Sequence, residues 1–381
     1  MIYVSLHPEV LRWARERAGR TVQELIAAFP KLDRWERGDE QPTLNQVERF
    51  AKAVHVPVGF LFLPQPPVES VPIPDFRMPG NVHKLHPSPD LLDTIYICQQ
   101  RQEWYRDYSL SLGEKPLAFV GSTTIKSPIV SIAATIRHEL GFDVDQRREM
   151  STWTEALRHF IAQADGLGIL VMCNGVVFNN THRHLDPEEF RGFAMADPLA
   201  PLVFINGADT KAAQMFTLAH ELAHIWLGQS AISDGQALIL PDDAIENWCN
   251  QVAAELLVPL TVIRTEYDGK ADLDEESTRL ARRFKVSSLV ILRRIYDTGA
   301  LTRAEFWQAY ELELARLRAI PKGNGGNFYL TQAARVSKRF ARALVISTLE
   351  GHTLHRDAFR MLGFSKLETF HELGRNLGVI G

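Results

Sequence analysis

The chain has 381 residues, of which 45% are hydrophobic and 23% charged, and its formal net charge is −4. This composition is typical of a soluble globular protein, and the length predicts two or three domains. No apolar run is long enough to span a membrane and no signal-peptide pattern opens the chain, so we expect a cytoplasmic protein without a membrane partner. The net charge does not indicate nucleic-acid binding, and three widely spaced cysteines fit a reducing compartment.

Residues 1–63 carry apolar side chains at helical spacing, which predicts a compact helical unit. Four segments in it resemble the repressor-type helix-turn-helix of the xenobiotic-response-element family: Thr21–Leu25, Trp35–Gly38, Gln41–Leu44 and Leu61–Leu63. Between Gln23 and Trp35 the chain is shorter than that family usually shows, and the missing part is the turn and the start of the recognition helix.

The charge of this unit also departs from that of a DNA-binding domain. Residues 1–60 hold nine Lys and Arg against eight Asp and Glu, which does not provide the basic surface that phosphate contacts require. We interpret residues 1–63 as a degenerate helix-turn-helix-like domain kept for docking or dimerisation, so a homodimer is possible. Direct DNA binding is the open alternative.

Residues 64–90 form a proline-rich linker, in which regular structure is excluded and extended chain is favoured. Such a segment could lie across the domain that follows it, with residues 75–77 as its anchor. Residues 91–164 follow as a helical connector with three predicted helices. Strand signals come next at 168–173, 190–196 and 201–206, and the last of these, or its neighbour, is expected to pair with the backbone of an extended peptide.

The segment from Asp209 to Gly228 is predicted to be one helix that carries His220-Glu221-Leu222-Ala223-His224. Residues four apart share a helical face, so His220 and His224 can direct two imidazoles to one point. Glu221 lies close enough to act on a water without being a ligand. This H-E-x-x-H spacing is typical of zinc peptidases, and polar groups in so apolar a helix need a partner.

A catalytic zinc usually takes three protein ligands, so a third is expected from a second helix predicted at 244–258. Glu246 is the favoured ligand, because a carboxylate commonly completes an H-E-x-x-H site. Glu255 and Cys249 remain open as alternatives. Asn250 lies one turn from Glu246 and is expected to orient it. His182 and His184, in a polar loop, are more simply solvated than metal-bound.

The two helix motifs together, Phe216–His224 and Glu246–Pro259, resemble the ImmA/IrrE family of metallo-endopeptidases. Asn206-Gly207 and Leu280–Ser287 also fit, and the resemblance covers roughly residues 165–300. It implies a zincin-like domain with one Zn²⁺, held by His220, His224 and Glu246, and Glu221 as the general base. It also implies a protein substrate, namely a helix-turn-helix repressor cleaved in a stress-response or mobile-element circuit. The oxyanion-stabilising residue is not identified, and the 179–184 loop and Tyr329 are candidates.

Residues 301–381 are expected to form a helical, basic C-terminal region. They hold twelve Lys and Arg against seven Asp and Glu, interrupted by a glycine-rich break at 321–327 that lacks the Lys-Ser/Thr of a phosphate loop. The helix predicted at 331–348 carries a basic stripe of Arg335, Lys338, Arg339 and Arg342. The stripe is either a solvated face or a docking site for an acidic partner or nucleic acid.

These observations predict an α+β, predominantly helical protein in which a helix-turn-helix-like bundle precedes a zincin-like core with a small sheet. The favoured function is zinc-dependent endopeptidase. The alternative is a DNA- or toxin-binding regulator, similar to an antitoxin, whose metal site is structural or vestigial. Glu221 favours the enzyme, since a structural site has no need of a general base.

Overall fold

The computed structural model describes residues 2–75, 87–233, 243–319 and 335–380, which group into two compact units. The smaller unit comprises Met1–Pro72 with Pro79–Tyr96, and the larger comprises Ile73–Met78 with Ile97–Gly381. Residues 97–164 of the predicted connector and the predicted C-terminal region lie in the same unit as residues 165–300.

The smaller unit is built from short helices: α1 (Pro8–Arg17), α2 (Val22–Ile26), α3 (Leu32–Arg37), α4 (Leu44–Ala53) and a 3-10 turn (Val58–Phe62). Thr21 and Thr43 begin α2 and α4 with capping boxes, in which the threonine hydroxyl and the side chain three residues later satisfy each other's backbone N–H groups. The helix α3, where the sequence predicts a shortened recognition helix, has six residues and buries Trp35 in the core of the unit.

The larger unit is helical around a small sheet, which confirms the predicted α+β class. Its first helix, α5 (Pro89–Ser111), starts in the smaller unit. The elements that follow are α6 (Ile129–Leu140), α7 (Gln146–Glu149), α8 (Trp153–Leu167), β1 (Leu170–Asn174), β2 (Gly192–Met195), β3 (Leu202–Asn206), α9 (Lys211–Leu227), β4 (Ala231–Ser233), α10 (Ala244–Leu257), α11 (Leu260–Glu266), α12 (Leu273–Phe284), α13 (Ser288–Asp297), α14 (Arg303–Arg318), α15 (Lys338–Leu349), α16 (His355–Leu362) and α17 (Leu367–Asn376).

The sheet has the strand order β1-β3-β2-β4. β1 pairs with β3 in parallel, whereas β2 is antiparallel to both β3 and β4. Since β3 and β2 have a partner on each side, neither can accept a substrate strand, and the expectation for residues 201–206 is wrong. Among the described strands, β1 and β4 are the edges, and β4 is the one that follows the motif helix.

The helix α9 forms the centre of the larger unit, and each of its residues from Gln214 to Trp226 is buried. It packs against α10, α8 and the sheet, in one apolar cluster with α6, α12 and α13. Sheet residues Val171, Ala194 and Val203 belong to this cluster. Within the described ranges, no helix combines the length and the apolar character needed to cross a bilayer.

The C-terminal helices pack against the same unit, and the predicted basic stripe is engaged within it. Arg335 donates to the Asn179 side chain at 2.8 Å, and Arg342 donates to the Leu377 carbonyl at 2.8 Å. Arg339 donates to the carbonyls of Asp165 and Gly166 and to the Tyr105 hydroxyl. Three of its four cations thus have partners inside the chain, which weakens the docking interpretation. The glycine-rich break and the start of the predicted 331–348 helix lie outside the described residues.

Candidate metal centre

The helix α9 is fixed at both ends by its own sequence and by a neighbouring loop. The Thr210 hydroxyl accepts a hydrogen bond from Ala213 N–H and begins the helix, and Gly228 ends it at φ 69°. The backbone N–H groups of Gly121 and Thr123 donate to the carbonyls of Ile225 and Trp226, at 3.1 and 3.2 Å. The last turn, which carries His224, is therefore held by hydrogen bonds from outside the helix.

The second helix of the site, α10, places Glu246 against the two histidines. Asp243 begins α10 by accepting hydrogen bonds from the N–H groups of Ile245 and Glu246. Glu246 Oε2 lies 3.2 Å from His220 Nε2, and its Oε1 lies 3.0 Å from His224 Nε2. The two Nε2 atoms are 3.1 Å apart, and all three side chains are buried.

These distances fit a single metal ion. Ligand bonds of about 2.0–2.1 Å in a tetrahedral zinc site place two ligand atoms roughly 3.3 Å apart. Buried polar atoms usually have a partner, yet His220 Nδ1 and Glu246 Oε1 make no hydrogen bond of normal geometry within the described residues. His220, His224 and Glu246 form the only group of His, Cys, Asp and Glu side chains in the described ranges whose atoms converge closely enough to hold a metal.

The charges within the cluster follow from burial and from mutual contact. Burial alone would raise the pKa of Glu246, but the two imidazoles outweigh it and lower that pKa to about 2. Burial opposes the charged form of His220 as well, yet the effect of the Glu246 carboxylate is larger, so the pKa of His220 is raised. For His224, burial prevails and lowers the pKa. The site is thus a buried anion between two imidazoles, which suits a divalent cation.

Glu221 lies beside this cluster without belonging to it. It is completely buried, and burial raises its pKa to about 8, against the opposing effects of His220 and of the nearby Ser233 hydroxyl. Neither carboxylate oxygen makes a hydrogen bond of normal geometry in the described part of the chain. A carboxyl group that is so little engaged in hydrogen bonds can exchange a proton with a bound reactant.

The remaining predicted candidates have other neighbours. Glu255 forms a buried ion pair with Arg294 and accepts the Leu260 N–H, so it is not available as a ligand. Cys249 is buried, which raises the pKa of its thiol well above the usual value. The neighbour that the structure shows for Asn250 is His220, whose charged form it favours, although neither polar atom of its amide makes a hydrogen bond of normal geometry.

The predicted loop groups do not join the cluster. His182 and His184 are exposed, and Asn179 is occupied by the Gly363 carbonyl and Arg335. Asn180 accepts from the His182 N–H within its own turn. The other oxyanion candidate, Tyr329, lies outside the described residues.

Two residues of the sheet reach the site and were missed in the sequence. A Cβ atom added to Gly192 would lie 2.5 Å from Thr217 Cγ2 and 3.1 Å from Glu221 Oε1, so only glycine fits beside the carboxylate. Ser233 pairs with Gly192 across the strands and also faces Glu221. A lone glycine in a strand often marks a close approach, and this signal was available at Gly192. The sequence gives no comparable signal for Ser233.

Comparison with known proteins places this centre in a recognised domain. Residues 164–296 match the family model described as the IrrE N-terminal-like domain of peptidase M78, and residues 336–376 match a domain of unknown function, DUF8813. The chain is also similar to the radiation response metalloprotease IrrE of Deinococcus radiodurans, with 35% identity over 97 residues. That alignment covers 24% of this chain and 30% of the relative, so the chain matches less than a third of the relative's length.

Proposed function

We propose that the chain is a zinc-dependent endopeptidase, on the premise that residues 164–296 match the IrrE N-terminal-like domain of the metallopeptidase family M78. The observation that carries the proposal is the convergence of His220, His224 and Glu246 beside a buried glutamate whose carboxylate makes no hydrogen bond of normal geometry in the described part of the chain. In this proposal the three residues hold one Zn²⁺ and Glu221 is the general base. Asn250 supports the site from beside His220.

The fold assigns each protein group a task in peptide hydrolysis. When bound, zinc supplies Lewis-acid chemistry that activates water at neutral pH and polarises the scissile carbonyl. Glu221 takes a proton from the attacking water and later delivers it to the departing amine, and burial, which favours the protonated form of this carboxyl, helps it hold the proton between the two steps. Gly192 and Ser233, on neighbouring strands, keep the carboxyl in place. The apolar residues around α9 exclude bulk water, which strengthens these interactions.

For the substrate, we propose a helix-turn-helix transcriptional repressor that controls a stress response or a mobile element. The support is the family resemblance together with the smaller unit, whose helices resemble such a domain but lack a full recognition helix. This unit could bind a related domain of the substrate, or a second copy of the chain. The name of the Deinococcus relative, a radiation response metalloprotease, fits a role in a stress circuit.

The second candidate is a regulator that binds DNA or a toxin and whose metal site is structural. Glu221 speaks against it, because a structural site gains nothing from a completely buried carboxyl beside the ligands, where desolvation is unfavourable. The two candidates differ in one measurable respect, namely whether a peptide bond is broken.

The decisive experiment compares wild type with Glu221→Gln in the native host. New N-termini are mapped by mass spectrometry after a DNA-damage stress, with attention to helix-turn-helix proteins. We expect cleavage of at least one repressor by wild type and none by the variant, which keeps all three ligands and should retain its zinc. Equal cleavage in both strains, or an absence of cleaved proteins in the wild type, would overturn the proposal.

A further inference from the structure

The strand β4 is a sheet edge that the chain itself occupies. Ile232 N–H points away from β2 and donates to the Pro74 carbonyl at 3.0 Å, and Asp75 forms a parallel bridge with Ile232. Ile73, Pro74 and Asp75 follow the smaller unit directly in sequence, yet they belong to the larger unit. All three residues of β4 are buried, although no further described strand lies beyond it.

This edge lies close to the proposed general base, because the residue next to Ile232 in the strand faces it. Ser233 follows Ile232 directly, faces Glu221, and pairs with Gly192, which also approaches the Glu221 carboxylate. An extended peptide that added a strand to β4 would therefore run past the reacting groups, with main-chain hydrogen bonds supplying its affinity. Any such peptide needs the Ile232 N–H that Pro74 now uses.

The segment has the properties of an internal ligand that can be displaced. Pro72 and Pro74 restrict it to extended conformations, so little entropy is lost when it binds. Proline has no N–H, so at residue 74 the segment can accept a hydrogen bond but cannot donate one. Parallel pairing is also slightly less stable per residue than antiparallel pairing, so an antiparallel substrate strand can replace it.

We propose that Ile73–Asp75 occupies the substrate-pairing edge of β4 and holds the peptidase at rest until a substrate or a signal displaces it. This inference rests on the proposed function, because it takes β4 as the strand that receives the substrate backbone. The preferred ligand of the edge is the extended main chain of a protein substrate. The resting segment is the competitor that a substrate must displace.

The test uses the full chain in a Glu221→Gln background, so that no readout depends on cleavage. The open variant carries Ile73→Gly, Pro74→Gly and Asp75→Gly. Its matched control carries Gln65→Gly, Val68→Gly and Ser70→Gly, at three exposed positions of the same linker. Glycine gives the released segment more conformational freedom and so favours its release.

The first readout is hydrogen exchange at the Ile232 amide, followed by NMR on protein labelled with ¹⁵N-isoleucine. We expect exchange of the Ile232 amide to be faster in the open variant by on the order of tenfold, because release of the segment takes the carbonyl of residue 74 away from this amide. The control should exchange like wild type. Unchanged protection of this amide in the open variant would overturn the proposal.

The second readout is the binding of a fluorescein-labelled peptide of residues 69–75, amidated at its C-terminus, measured by anisotropy. We expect it to bind the open variant on the order of tenfold more tightly than wild type or control, because the edge is vacant. Adding Ile232→Pro should abolish this binding, because proline has no N–H to donate to the peptide. The strand itself should persist, since an edge strand tolerates proline where its N–H faces outward. Equal affinity in the wild type and the open variant would contradict the inference.

The outcomes also separate this inference from the proposed function. If both readouts behave as expected but no repressor is cleaved in the host, the edge is blocked by Ile73–Asp75 and the proposed enzymatic activity alone fails. If repressor cleavage depends on Glu221 but neither readout changes in the open variant, the proposed function holds and the resting segment is refuted.

Discussion

Glu246 and Glu255 lie on the same helix, and their surroundings decide which one can hold a metal. Glu246 faces two imidazoles at 3.0 and 3.2 Å, and its Oε1 makes no hydrogen bond of normal geometry within the described ranges. Glu255 is neutralised by Arg294 and caps the start of α11. A carboxylate committed to an arginine and a backbone N–H offers little to an ion, whereas one between two imidazoles offers both oxygens.

The change Glu246→Ala should therefore remove the metal. We expect zinc affinity to fall by at least about a hundredfold, since loss of a ligand should exceed the 10–100-fold effect of losing an outer partner. Glu255→Gln, as the control, should retain one zinc per chain and lose only stability. Metal content after dialysis, measured by mass spectrometry, distinguishes the two. Undiminished zinc in Glu246→Ala would move the ligand assignment elsewhere.

Gly192 shows how tightly the sheet is packed against the proposed general base. Because an added Cβ would meet Thr217 Cγ2 and Glu221 Oε1, we expect Gly192→Ala to displace Glu221, to abolish cleavage and to lower stability by about 1–3 kcal/mol. Thr217→Ser removes that methyl, so the double variant should recover part of the lost stability. Urea unfolding and the cleavage assay measure both effects.

Gly166→Ala is the control for this substitution. It lies in α8 with nothing within 4 Å of an added Cβ, so it should not lower stability. A Gly192→Ala variant with normal stability and cleavage would show that the sheet can move away from Glu221.

At the scale of elements, the helix that carries Glu246 is anchored at its far end by three arginines. Arg137 donates to the carbonyls of Glu255 and Leu256, Arg147 to that of Leu257, and Arg294 to that of Val258. They come from α6, α7 and α13, so three helices converge on the carbonyl end of α10. Cations there complement the helix dipole and satisfy carbonyls that the helix leaves unpaired.

The change Arg147→Met should test this anchor. Arg147 is completely buried and also donates to the Phe284 carbonyl at 3.1 Å, so methionine fills the space but leaves buried acceptors without donors. We expect a loss of about 2–4 kcal/mol, measured by urea unfolding. Arg375→Met, which removes only an exposed pair with Glu372, should change stability by about 0.5 kcal/mol or less. Equal stability of both variants would refute the anchor.

The sequence predicted the two site helices well, because each is a local pattern with its own start and stop signals. Thr210 and Gly228 bound α9 close to the predicted 209–228, and Asp243 precedes α10 as expected. The three strands were also found near their predicted positions. These patterns could not provide the order of the strands in the sheet. The substrate-pairing role was therefore predicted for β3 and not for an edge strand. The short β4 carries too few residues for a recognisable alternation.

The partners of the arginines in the basic stripe could not be predicted for a related reason. Arginines at 335, 339 and 342 have the same sequence pattern whether they face solvent or donate to distant carbonyls. Their partners lie far away in sequence, at positions such as 165 and 179, and a count of charges carries no information about them. The three arginines that anchor α10 escaped notice for the same reason, since long-range side chain–backbone bonds leave no periodic signal.

For the whole molecule, the pairing of charges bears on DNA binding. In the smaller unit, Lys31 and Arg34 contact Glu40, and Arg37 contacts Asp33 and Asp39. These cations on and around α3 are therefore neutralised within the unit, and phosphate contacts would have to displace these pairs.

We accordingly expect weak DNA binding by the full chain, with a Kd of about 10⁻⁴ M or more at physiological salt. Fluorescence anisotropy with a labelled 30-base-pair duplex measures it. The triple variant Asp33→Asn, Asp39→Asn, Glu40→Gln frees the cations and should bind more tightly, with a steeper dependence on salt. Submicromolar binding by wild type would restore the DNA-binding alternative.

The proposed ligands lie on two separate helices, α9 and α10. An ion held there acts as a removable cross-link, present in the folded chain and absent from the unfolded one. At a thousandfold excess of free zinc over its Kd, such an ion adds about 4 kcal/mol to folding. Metal starvation would then act on the protein in two ways, by emptying the proposed centre and by exposing more chains to proteolytic turnover. The cellular level of this protein should therefore follow the zinc supply.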